Sequence, residues 1–397
     1  MVFCSNGNSR FLSLNQRLIL LSLMIPYEVL KVPALGLYIH VPFCTNRCDY
    51  CHFYKQSLSH SAIQQFFQTI QQERNYWQFV WEQRPFETIF WGGGNPSCLT
   101  PDELITLGNW CPVSKTLKEW SVEVSPVAID KAKLQALHSL PVTRLSMGIQ
   151  SFNPTILHQL GRRQTTEDAF KAYDALRSAG FNNINLDLIF PPDFSDLTLW
   201  RKDLETAISL NPEHLSTYCL TYETTSGPFT PQHHQTVDIN KEASFYLFTW
   251  DFLNEHGYRQ YEVSNFAKPG FECHHNKNTW LMQDWLGWGP SAASQWNNQR
   301  FQNPTHLLYT PGPHDSTPSF TPDELCKDRL IFGLRLCEGI NLCELQKQFP
   351  SVNLKRYQSL WQHFCAQGLT TLNHSILRCT QRGMLLADSL AVEILLR

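Results

Sequence analysis

From residue 36 onward, short apolar runs alternate with segments whose apolar positions recur at helical spacing. The runs are GLYIHV (36–41), TIFW (88–91), WSVEV (120–124), RLSMGIQ (144–150), INLDLIF (184–190) and HLSTYCL (214–220). Between them, 60–80, 101–109, 129–139, 153–160, 167–179 and 196–209 read as helices. Thr100 before Pro101-Asp-Glu and Thr165 before Thr166-Glu-Asp have the form of N-caps with acidic first turns. Gly180, after KAYDALRSA, reads as a helix stop. Six strand-then-helix units predict an α/β fold with a parallel sheet, either an open wound sheet or a partial barrel.

In parallel α/β folds ligand chemistry gathers at the carboxyl ends of the strands. The unusual residues sit there. Cys44, Cys48 and Cys51 follow the first run, Gly92-Gly93-Gly94 the second, and Glu123 closes the third. Gln150 ends the fourth, Asp187 lies within the fifth, and Tyr218 and Glu223 flank the end of the sixth. One face of the sheet is expected to carry the function.

After about residue 230 the βα rhythm fades, and 257–300 is rich in Gly, aromatic and Asn residues. The pattern divides the chain into a leader (1–35), a core (36–230), an extension (231–302), a Pro-rich linker (303–324) and a mostly helical, winged-helix-like module (325–397). In the leader, LILLSLMIP (18–26) follows Arg10 and Arg17. It is too short to span a bilayer and no A-x-A site follows it, so a cytoplasmic protein is expected. Met24 lies inside this run and is a candidate alternative start.

Composition adds boundaries. At 397 residues the chain has room for two or three domains. A formal charge of −3 with 17% charged residues gives no electrostatic reason for a nucleic-acid partner. The 12 Trp and 25 Phe fit a large core or a pocket for a flat apolar ligand. Thirteen Cys, an odd number scattered outside 44–51, fit reduced thiols better than a disulfide scaffold.

The spacing C-x3-C-x2-C at Cys44, Cys48 and Cys51 leaves four chemistries open. The thiols are stray neighbours, or a zinc site completed by His52. Otherwise Cys48-Asp49-Tyr50-Cys51-His52 is a c-type heme attachment sequence, or the loop holds an iron–sulfur cluster. Three thiolates on four irons leave one iron open to a small molecule. S-adenosylmethionine (SAM) can chelate such an iron through its amino and carboxylate groups, and one electron then breaks a carbon–sulfur bond to give a 5′-deoxyadenosyl radical. Three glycines one βα unit later, free of side chains, let backbone approach a ligand closely. They strengthen the cluster reading.

With these motifs assembled, the chain resembles the radical SAM superfamily, in the branch that holds oxygen-independent coproporphyrinogen III oxidase and the heme chaperones. YIHVPFC, CDYCHF, FWGGGNPS, EVSP, RLSMGIQSF, LGRRQ, NINLDLIF, YEVSNFA, HHNKNTW and GWGPSAAS carry the resemblance in order, over about residues 36–397. It implies a partial (β/α)6 barrel with a [4Fe-4S] cluster on Cys44, Cys48 and Cys51. Tyr38, Gly93 and Glu123 are then neighbours of the cluster-bound SAM. Gly94, Asn95, Gln150, Arg162 and Asp187 match contacts of a second SAM in the oxidase, with an Arg162–Asp187 ion pair as the structural alternative.

Departures from the branch pattern tilt the function. The oxidase motif places a fourth Cys where this chain has Phe53, whereas the chaperone motif ends in C-x-F. His275-Asn276-Lys277-Asn278-Thr279-Trp280 is similar to the H-N-x-x-Y-W segment tied to heme in the chaperones, with Thr279 for Tyr and His275 as the implied heme contact. Asn95 replaces a Thr and Gln164 a His. The resemblance thus implies a heme chaperone that passes heme to respiratory acceptor proteins at the membrane, with an electron donor for the cluster and a homodimer left open. The alternatives are the oxidase, which decarboxylates two propionates of coproporphyrinogen III, and a radical SAM enzyme for another substrate.

Overall fold

A computed structural model describes residues 34–46, 48, 50–191, 193, 195–220, 238–313 and 317–397. Residues 1–33 of the expected leader and Glu223 lie outside the described residues, and Leu35, placed in that leader, opens the first strand. All six apolar runs are strands: β1 (Leu35–Val41), β2 (Thr88–Gly93), β3 (Glu119–Val124), β4 (Arg144–Gln150), β5 (Ile184–Phe190) and β6 (His214–Cys219). They pair in sequential order, every pair parallel. Helices lie in each crossover, as the pattern predicts.

Local chemistry explains the helix boundaries. Thr100 and Thr165 both form capping boxes, with Glu103 and Asp168 returning the hydrogen bond. After the helix Thr166–Ser178, Gly180 takes φ +91° and Phe181 N–H reaches back to the Leu176 carbonyl, so the chain leaves the helix in the left-handed conformation that glycine tolerates. The expected helix over 60–80 is interrupted at Trp77, which is buried between Tyr76 and Phe301 and separates His60–Tyr76 from Gln78–Gln83.

Period-two alternation divides the sheet into two chemically distinct faces. Leu35, Leu37, Ile39, Ile89, Trp91, Trp120, Val122, Leu145, Met147, Leu186 and Leu188 are buried apolar positions. The alternate positions carry Tyr38, His40, Thr88, Glu119, Ser121, Glu123, Arg144, Ser146, Asn185, Asp187, His214 and Ser216. Polar groups therefore face one another inside the curve of the sheet, where ligand chemistry is built.

The fading rhythm after 230 conceals five more strands. β8 (Asn265–Ala267) extends the β6 edge, antiparallel to it, and β7 (Arg259–Gln260) pairs antiparallel with β8 beyond it. β9 (Asp284–Trp288) pairs parallel with β1, and β10 (Ala293–Trp296) and β11 (Gln299–Gln302) continue antiparallel to give an 11-stranded sheet. These strands have two to five residues and so present too few positions for a period to register. Gly287 is required because a Cβ there would lie 2.3 Å from the Ala293 carbonyl oxygen.

The C-terminal region folds around Cys326, Leu330, Leu345, Tyr357, Trp361, Phe364, Leu377 and Ile394. Its helices surround a small antiparallel sheet of β12 (Ile340–Asn341), β13 (Thr370–Asn373) and β14 (Ile376–Cys379). Among the described residues no helix is long and apolar enough to cross a membrane.

Candidate functional site

At the carboxyl ends of β1–β6 lies a cavity of about 780 Å3. Cys44, Cys48, Cys51, Gly93, Gly94, Asn95, Glu123, Gln150, Arg162 and Asp187 all line it, brought together from five strand ends. Tyr38 lies one layer below, its hydroxyl 3.3 Å from His40 Nδ1 and its ring stacked on Phe90.

The loop after β1 is fastened by backbone. Gly94 N–H donates to the Val41 carbonyl (2.9 Å), Asn95 N–H to Phe43 (2.8 Å) and Gln56 N–H to Pro42 (2.7 Å). The three glycines make room for protein atoms. A Cβ at Gly92 would lie 2.8 Å from the Glu123 carboxyl, and one at Gly94 would lie 2.6 Å from the Val41 carbonyl oxygen. Gly93 has φ +96°, and a Cβ there would strike the His40 ring. So these glycines first let β1, β2 and β3 converge; the cavity wall follows from that.

Arg162 organises the opposite wall. Its Nη2 donates to the Gly148 carbonyl (2.5 Å) and to Gln164 Oε1 (2.7 Å), and Nη1 reaches Cys48 Sγ at 3.4 Å. Asp187 takes other partners, Ser146 and Asn185. The expected alternative of an Arg162–Asp187 pair is not formed. Gln164, standing where the branch pattern has His, also donates to the Ile149 carbonyl (2.5 Å), so it braces Arg162 by amide geometry. Gln150 adopts φ +71° beside a bulge at the end of β4, a backbone state costing about 1–3 kcal/mol and typical of functional sites. Buried Asp203 secures the following turn, accepting from Ser151 Oγ and Phe152 N–H.

Enclosure shapes the acid–base character of the floor. Desolvation, then the neighbouring Asp187 carboxylate, pushes Glu123 up to about 8 against the Gly93 N–H bond and Arg144. Asp187 is raised by desolvation, while hydrogen bonds from Asn185 and Ser146 and the charge of Arg144 pull the other way. Burial, then Cys98 and Cys51, pushes the Cys44 thiol up to about 12. A bound cation reverses that trend, since a coordinating thiol is deprotonated.

The donor set fits a cluster. All three cysteines are free thiols on one cavity. Thiolates are the ligands that hold iron–sulfur clusters, each on its own iron. Phe53 is 65% exposed at the rim.

His275 is elsewhere. It lies at the amino ends of β1 and β2, with Nδ1 2.9 Å from Thr88 Oγ1 and its ring 5.3 Å from that of Phe90. It begins the helix His274–Trp280, whose first N–H groups donate to Glu119 at the start of β3. Burial holds its imidazole down at about 4. The cluster loop and the His-Asn segment thus occupy opposite ends of the same sheet.

The site also contains residues that sequence reasoning passed over. Lys55 Nζ donates to the Cys51 carbonyl (2.6 Å), and Cys98 lies against Thr45 and Asn95 beside the cysteine loop. Both are adjacent to motifs already noted, and that adjacency was the available signal.

A radical SAM superfamily model matches residues 38–199 and a HemN C-terminal domain model matches 320–386. The heme chaperone HemW of Bacillus subtilis is 29% identical over 88% of this chain and 96% of its own length. That of Escherichia coli is 32% identical over 66% of this chain and 71% of its length. A bovine protein, mitochondrial radical S-adenosyl methionine domain-containing protein 1, is 28% identical over 91% and 87%. In structure, E. coli coproporphyrinogen III oxidase (HemN) superposes with a TM-score of 0.78 at 22% identity, covering 91% of this chain and 90% of the oxidase.

Proposed function

The chain belongs to the radical SAM superfamily, on the HemW side of its HemN-like branch, and on that premise we propose that it is a heme chaperone. It binds heme and hands it to acceptor proteins, and carries a [4Fe-4S] cluster and SAM at the carboxyl ends of the strands. Cys44, Cys48 and Cys51 would hold the cluster. Tyr38, Gly93, Gly94, Asn95, Glu123, Gln150, Arg162 and Asp187 surround or support the space for SAM. When bound, the cluster supplies one electron to the SAM sulfonium. The chain's own part is to place a guanidinium on Cys48, two carboxyls on the floor and a glycine-lined wall.

Phe53 carries the reading. It stands exposed at the cavity rim where the oxidase motif has its fourth Cys, and it agrees with chaperone relatives matched along nearly their whole length. His275 remains the proposed heme contact by motif, and its imidazole would have to leave Thr88 to reach an iron. The oxidase is the second reading, favoured by the retained Gln150, Arg162 and Asp187 in one cavity.

Anaerobic reconstitution followed by two parallel measurements separates them. Heme titration should give saturable binding, and coproporphyrinogen III should give no vinyl product. Many turnovers of product without heme binding would overturn the chaperone reading in favour of the oxidase.

A further inference from the structure

A directed hydrogen-bond chain runs along the inner face of the sheet and ends in the cavity. Tyr261 OH lies 2.8 Å from His214 Nε2, and His214 Nδ1 lies 2.6 Å from Asn185 Oδ1. Asn185 Nδ2 donates to Asp187 Oδ1 (2.7 Å) and to Ser146 Oγ (2.7 Å), and Ser146 Oγ donates to Asp187 Oδ2 (3.1 Å).

Chemistry sets the direction of each proton. A carboxylate and an amide oxygen only accept, so Asn185 must turn its NH2 toward Asp187 and its oxygen toward His214. His214 then carries its proton on Nδ1, and Nε2 accepts from Tyr261. Burial, with Arg144 nearby, keeps this imidazole neutral. Ser216 Oγ also donates to Asn185 Oδ1, at 3.1 Å. Reversing the Asn185 amide would face an oxygen to the carboxylate and strand the His214 proton.

We propose that His214 is a positioning residue for SAM binding, acting through the Asn185 amide to hold Asp187 ionised and oriented toward the cavity. The proposal rests on the reading that this cavity takes SAM. Asp187 is where the chain meets the ligand space, and both its oxygens are engaged by donors from behind. An ionised, fixed carboxylate suits a ligand that carries a sulfonium, an ammonium and ribose hydroxyls. The other groups facing Asp187 are Glu123 from β3, Arg144 and Ser146 from β4, and Ser216 and Tyr218 from β6. Burial opposes its charge, so the donors and Arg144 decide whether it stays ionised.

The test is calorimetric titration of SAM into the cluster-reconstituted full chain under anaerobic conditions, repeated across the pH range. His214→Leu should bind SAM about tenfold more weakly. Its acid limb should also move to higher pH, because a released Asn185 no longer favours the carboxylate. His214→Asn, whose amide N–H can occupy the place of Nδ1, should recover most of the affinity and the original pH midpoint. A purely structural role for His214 would not produce that rescue. If His214→Leu does not fold, Asn185→Leu removes the same donor with a near-isosteric side chain and should show the same loss. Unchanged affinity and midpoint in these variants would overturn the inference while leaving the cavity reading intact. Failure of the wild-type protein to bind SAM would instead overturn the cavity reading and the inference together.

Discussion

Arg162 donates an N–H to the sulfur of Cys48 at 3.4 Å, across 114 positions of sequence. A cationic donor on a cluster thiolate offsets its negative charge and favours the reduced cluster. Arg162→Met keeps the length of the side chain and removes both charge and donor. It should lower the midpoint potential of the reconstituted cluster by tens of millivolts, read by electron paramagnetic resonance of poised samples, with iron content still measurable. An unchanged potential would mean that the contact does not persist when the cluster is bound.

Gln150 pairs strain with position. With φ +71° it occupies a region that favours glycine, and Asp203 clamps the turn behind it. Gln150→Gly should stabilise the cluster-free protein by about 1 kcal/mol in urea unfolding. The same change should weaken SAM binding, because the side chain that lines the cavity is lost. Stability and binding moving in the same direction would count against a functional origin for the strain.

Glu123 makes the pH dependence of the cluster-free protein predictable. Its folded pKa is about 8, above the ordinary carboxyl value of 4.5, so the folded state holds a proton that the unfolded state has released. Stability therefore falls as pH rises between those values. Buried Glu73, also near 8, adds to the same slope. Glu123→Gln should flatten the fall in urea midpoint between about pH 5 and 8, leaving the Glu73 share. A midpoint that rises with pH would show that both carboxyls are ionised in the folded protein.

The six strands and their crossovers were legible because each run is long enough to show its period and each is flanked by caps such as Thr100 and Thr165. The location of the cysteine loop, the glycines, Glu123 and Asp187 followed from the rule that strand ends carry chemistry. Edge strands such as Asn265–Ala267 were not legible, since three residues carry no period. Nor could sequence place His275, whose position depends on the register of β1, β2 and β9 and on the long-range partner Glu119. The roles of Gly92, Gly93 and Gly94 were legible as close approach, but what approaches is the neighbouring backbone, His40 and Glu123.

Glu119 gathers Ser121 Oγ, Cys273 Sγ and the N–H groups of His274 and His275 on one buried carboxylate, near the buried Arg144. Glu119→Ala would leave these donors without an acceptor and remove one of the charges that favour the Arg144 cation, a loss of about 3–5 kcal/mol. The melting temperature should drop by several degrees, and hydrogen exchange should rise across His274–Trp280. Exchange that stays slow there would mean the helix is held by its packing alone.

Thr88 competes for the imidazole that the His-Asn segment would offer to heme. Its Oγ1 is hydrogen-bonded to His275 Nδ1 at 2.9 Å in a buried setting, a bond worth about 1 kcal/mol net. Thr88→Val is near-isosteric, so it releases the ring without opening a cavity. If His275 ligates heme, releasing it should tighten heme binding about fivefold, and His275→Ala should abolish the histidine-ligated Soret band. Heme titrations of the three proteins decide the matter. Identical affinities and spectra would move the heme site away from this end of the sheet and toward the cavity rim, where Phe53 offers an exposed aromatic face to a flat apolar ligand.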